Sequence, residues 1–98
     1  VSISDVVLEV REIGKINAGK GSNLCESQDL QNYKDSCYSA LAETAKESIY
    51  CAEIVSELKS NSCYVTAATR WQDFSVCDKI TDKYLKQACK NYASVANI

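Results

Sequence analysis

CAEIVSELKSNSCY, residues 51–64, decides the fold of this chain. Its two cysteines, Cys51 and Cys63, enclose eleven residues, and the same interval separates Cys25 from Cys37 and Cys77 from Cys89. Thirteen residues separate one pair from the next, so the unit recurs every twenty-six. A fixed period marks stacked repeats, and an even cysteine count in a short chain marks a disulfide framework. If this segment were one continuous helix, its ends would stand about 18 Å apart at ~1.5 Å per residue. A disulfide needs Cα atoms within roughly 7 Å, so a bonded segment must reverse direction. Ser56 offers the place, because serine favours turns and caps the helix that follows. It lies five residues after Cys51 and seven before Cys63, which sets the two cysteines nearly level in an antiparallel hairpin.

The same reading extends to the neighbouring repeats. Asp29 and Asp82 take the place of Ser56 and are expected to cap the second helices of the first and third hairpins. The thirteen-residue gaps behave differently. Further breaks fall near Glu47-Ser48 and near Asp73; Cys37 lies about ten residues before the first of these and Cys51 only four after it, a mismatch of about 9 Å at ~1.5 Å per residue. The spacing therefore predicts Cys25–Cys37, Cys51–Cys63 and Cys77–Cys89, each bridge worth roughly 3 kcal/mol by loop-closure entropy. Residues 23–98 contain neither Gly nor Pro and read as helical. Each repeat is then a short helix, a tight turn and a longer helix. Leu41, Leu58, Tyr64, Trp71, Phe74, Ile80 and Leu85 are expected to join the hairpins, with small residues at Ala42, Ala68 and Ser94 permitting close approach. The fold class is all-α: three tandem disulfide-stapled helical hairpins with an N-terminal apolar arm.

The chain divides into two parts. Residues 1–22 form the arm and a Gly-rich linker, and residues 23–98 the cysteine-stapled repeat domain. In the arm, Ile3, Val6, Val7, Val10 and Ile13 share one helical face. Ser2 or Ser4 can cap such a helix and Asp5 suits its first turn, while Val6, Leu8 and Val10 also alternate as in a strand; the helix is the favoured reading. Gly14, Gly19 and Gly21 make residues 14–22 read as a flexible connection. This stretch nearly spells a phosphate loop, but Gly21 stands where Ser or Thr must hold magnesium, and thirteen upstream residues cannot supply the strand and parallel sheet that the motif needs.

Composition limits what the protein does. A net charge of −2 with both signs interspersed argues against nucleic acid as a partner. No apolar run reaches the roughly 20 residues that span a bilayer. There is no histidine, so neither Ser–His nor Cys–His catalysis is possible. Structural zinc sites need closely spaced Cys pairs or His, and neither is present. No catalytic residue, metal or cofactor is expected, and the tyrosines Tyr33, Tyr38, Tyr64, Tyr84 and Tyr92 are expected to pack between helices. Six evenly spaced cysteines suggest an oxidising compartment. A chain that starts at Val1 and lacks Met is expected to have lost a secretory signal.

Cys51-Ala-Glu-Ile54, a turn, then Cys63-Tyr64 resembles the degenerate cysteine-bearing helical-hairpin repeats of predicted secreted and surface proteins from archaea and some bacteria. The resemblance covers residues 24–95. Gln28 departs from it in the first repeat, and Lys90 in the third. It implies a stapled helical array and no known chemistry. The arm is thus the functional lead. Val1, Ile3, Val6, Val7, Val10 and Ile13 are expected to dock on a partner, either a second copy in an oligomer or filament, or another surface protein. The alternative is a small carrier of apolar ligands, with a pocket lined by Leu41, Ile54 and Ile80.

Overall fold

In the computed structural model, which describes residues 2–96, five α-helices and two 3-10 helices follow one another, with no strand among the described residues. The α-helices are α1 (Ile3–Ile16), α2 (Ala18–Glu26), α3 (Gln31–Ala45), α4 (Glu57–Arg70) and α5 (Lys83–Ala96). The 3-10 helices are Ser48–Glu53 and Phe74–Lys79. The disulfides are Cys25–Cys37, Cys51–Cys63 and Cys77–Cys89, with Cα separations of 5.3, 5.6 and 5.5 Å. Each ties a short helix to the long helix after it.

The turns follow from their side chains, with one exception. Ser56 Oγ accepts from Lys59 N at the start of α4, and Asp82 Oδ1 accepts from Tyr84 N and Leu85 N at the start of α5. Asp29 does not cap α3. That helix starts one residue later, at an N-cap Leu30 with no side-chain bond. Just beyond α3 and α4, Lys46 and Gln72 have positive φ, 55° and 57°, again twenty-six residues apart. This geometry turns the chain into the next short helix, and Glu47 N and Asp73 N donate back to Ala42 O and Ala67 O.

Each 3-10 helix closes with an isoleucine, Ile54 or Ile80, whose N–H donates to the carbonyl of Cys51 or Cys77 and whose side chain is buried. This is why the motif reads Cys-x-x-Ile. In the first repeat Gln28 N donates to Cys25 O in the same way, and its amide donates to Leu24 O instead of entering the core.

The arm is a helix with a capping box: Ser2 Oγ accepts from Asp5 N, and Ser2 N donates to Asp5 Oδ2. The expected flexible connection over residues 14–22 is helical as well. Asn17 alone breaks the path, and its side chain caps α2 by accepting from Lys20 N. Glycine serves close approach here and not mobility. A Cβ on Gly14 or Gly21 would lie 2.9 or 2.7 Å from Leu41 Cδ1, so α1 and α2 reach the buried Leu41 of α3 only because those atoms are absent.

Among residues expected to join the hairpins, Leu41, Tyr64 and Ile80 are buried, and Trp71 and Phe74 are half-buried against the core. Leu58 and Leu85 are exposed instead. Ala42 and Ala68 are fully buried, whereas Ser94 lies in solvent.

Candidate interaction surface

The apolar stripe of α1 faces the chain's own core. Val6 and Val10 are buried, Ile3, Val7 and Ile13 are half-buried, and α1 packs along both α2 and α3. Val1 lies outside the described residues. The stripe expected to dock on a partner is therefore occupied within the molecule. Helical periodicity found the face; it carries no information about which surface covers it. The opposite face of α1 exposes Leu8 and Ile16, with Asp5, Glu9 and Glu12 beside them.

Repeats are joined by a polar clamp that the spacing hid. Asp35, two residues before Cys37, is buried and accepts from Val55 N at 2.9 Å and from Ser56 N at 3.0 Å, the turn of the next hairpin. Asn61, two before Cys63, repeats the device: its Oδ1 accepts from Thr81 N at 2.9 Å, and its Nδ2 donates to Thr81 Oγ1. Burial alone would raise the pKa of Asp35, but the Val55 N–H, the Gln31 amide, the Ser56 N–H and the Lys59 ammonium outweigh it and hold the carboxyl below its ordinary value. A second cross-repeat contact joins Ser48 Oγ to Asp73 Oδ2, whose pKa is lowered by the Ser75 and Ser48 hydroxyls. Tyr38 of α3 donates to Glu26 at the end of α2; burial and that carboxylate push its pKa up to about 12.

The third repeat breaks the scheme. Gln87 occupies the clamp position but is exposed and bonds Asn91 in its own helix. Lys90 stands where Tyr38 and Tyr64 are buried, and its ammonium meets Asp78 at 2.9 Å. Only Cys89 of α5 is buried. Tyr84 and Val95 lie outward, 75% and 70% exposed, whereas Leu85 and Tyr92 are partly covered, the Tyr92 ring lying 5.9 Å from that of Phe74 and its hydroxyl donating to Thr69 O. Leu85, Ala88 and Tyr92 face Val65 and Thr69 of α4 across a groove of about 240 Å³ that also touches Cys89. Sequence reasoning missed this groove because Leu85 and Tyr92 were read as core. The strong amphipathicity of α5, coupled with polar residues at its repeat-stacking positions, was the available signal.

The groove is smaller than a typical ligand pocket of roughly 300–1,000 Å³, and it is open along its side. Leu41, Ile54 and Ile80 are packed in the core, and none of them lines a described cleft. Among the described residues no group of three or more His, Cys, Asp or Glu could hold a metal, and no helix is long and apolar enough to cross a membrane. Exposed apolar residues thus lie on the outer faces of α1 and α5, and also at Leu30, Ile49, Val55 and Leu58. No protein-family model, no curated protein and no solved structure matches the chain.

Proposed function

We propose that this protein is a secreted or cell-surface interaction module without catalytic activity, which presents helical faces to a protein partner. The partner is a second copy, in self-assembly, or another surface protein. The observation that carries it is α5: an amphipathic helix held by a disulfide, with most of its apolar side uncovered. Exposed apolar patches rimmed by polar residues mark interaction surfaces. Three disulfides and no free cysteine suit an oxidising compartment. The likeness to cysteine-bearing hairpin repeats of secreted proteins supports the same location.

The test is fractionation of the producing cells, with thiol labelling and native size measurement on the recovered protein. The expected result is fully oxidised protein outside the cytosol, in an assembly heavier than a monomer. A reduced, monomeric protein in the cytosol overturns the proposal.

A further inference from the structure

Long helices α1, α3, α4 and α5 pack in series, each against the next, so α1 and α5 form the two ends of an elongated molecule with extents of 43 × 25 × 17 Å. The two ends differ in charge. Helix α5 carries Lys83, Lys86 and Lys90 and no carboxylate. Their spacings of three and four residues place all three on one face. Helix α1 carries Asp5, Glu9 and Glu12 at spacings of four and three, again on one face, and all three are exposed. This face lies away from Val6 and Val10, which are turned toward α3. Read antiparallel, the two stripes match in spacing: four then three against three then four. Among the described residues Glu9 and Glu12 have no ion-pair partner. Countercharges stand at both ends: Arg11 is paired with Glu43 and Lys15 stands near the acidic stripe, while Asp78 meets Lys90 and also acts on Lys86, and Asp82 precedes Lys83.

We propose that α1 of one copy docks on α5 of the next, continuing the series of long helices from one molecule into another. This rests on the interaction-module reading and names its partner as a second copy. Complementary charge sets register and direction, and exposed Leu8 and Ile16 lie beside the acidic stripe of α1. The two surfaces differ, so the contact is head-to-tail and leads to rings or filaments rather than a closed pair.

Sedimentation of the purified, oxidised full chain tests this from about 1 µM to about 1 mM, the range of weak protein contacts. Assembly is expected to grow with concentration and to weaken about tenfold between low and high salt, as screening shortens the reach of exposed charges. K83E/K86E and E9K/E12K are each expected to stay monomeric while keeping the wild-type circular dichroism spectrum. A chain with all four reversals is expected to assemble again. An equimolar mixture of the two double variants is expected to assemble as well, since the unchanged α1 of one meets the unchanged α5 of the other and the two reversed helices meet likewise. A wild type that is monomeric throughout, or assembly that survives both reversals, overturns the proposal. A purified monomer alongside a native complex containing other proteins overturns only self-docking and leaves the interaction-module reading standing.

Discussion

Asp35 and Gln87 hold equivalent places in their repeats, each two residues before the second cysteine, yet the physics assigns them opposite weights. Asp35 is 3% exposed and satisfies two backbone N–H groups of the following hairpin. Gln87 lies in solvent and bonds only within its helix. Asp35→Ala strands those two N–H groups in a partly buried turn, so a loss of about 2–3 kcal/mol is expected. Gln87→Ala is expected to fall within about 0.5 kcal/mol of wild type, as for most surface changes. Urea denaturation midpoints of the two variants measure the difference directly, and equal losses would refute the clamp. The sequence shows the twenty-six-residue register of Asp35 and Asn61 but not their task. An aspartate inside a helix is ordinarily solvated, and only the arriving turn of the next repeat reveals what it binds.

Among elements, α5 is the one whose attachment depends most on its disulfide. Helices α3 and α4 bury tyrosines, alanines and a polar clamp besides their cysteines, whereas α5 buries Cys89 alone. Replacing both Cys77 and Cys89 by Ala is therefore expected to release α5 locally. Its amides should exchange hydrogen at least about tenfold faster, an opening free energy lowered by ~1.4 kcal/mol or more, while those of α1 to α4 remain protected. The same replacement at Cys51 and Cys63 removes a staple from the middle of the array and is expected to loosen both flanking repeats. Uniform exchange throughout the chain in the Cys77/Cys89 variant would contradict this ranking. The helices differ equally in how far the sequence discloses them. The hairpins were legible because a twelve-residue step between cysteines restricts geometry independently of packing. The Gly14–Ser22 stretch was not, because three glycines signal local freedom while the use of two of them, Gly14 and Gly21, in contact with Leu41 is tertiary. The arm's helix was legible through Ser2, Asp5 and its apolar period, but the partner of its stripe was not, since an amphipathic face has the same pattern whether it meets α3 or another molecule.

At the scale of the whole molecule, pH acts at two widely separated limits. There is no histidine, so no side chain with an ordinary pKa titrates between about pH 5 and pH 8. On the acid side Glu26, Asp35, Asp73 and Asp78 all lie below their ordinary values of 4.5 and 3.8. Their leading favourable partners are the Tyr38 hydroxyl for Glu26, the backbone N–H of Val55 for Asp35, the Ser75 hydroxyl for Asp73 and the Lys90 ammonium for Asp78. In each case the unfolded chain takes up protons at higher pH than the folded one. The stability these groups contribute is therefore complete above the unfolded pKa values and is lost as pH falls through the lower folded ones. On the alkaline side Tyr38 titrates at about 12 in the fold against an ordinary 10.0. The unfolded chain now loses its proton first, so stability declines as pH rises from 10 toward 12. The expected profile of the denaturation midpoint is a plateau through neutral pH, a fall beginning near pH 4 and a second fall above pH 10. Asp35→Asn should flatten part of the acid fall while leaving the alkaline one unchanged, and Tyr38→Phe should do the reverse, apart from the change in Glu26 that follows loss of its donor. Denaturation midpoints of both variants from pH 2.5 to 11.5 read this out, and a midpoint that changes steadily through neutral pH would show that ionisations other than these govern the fold.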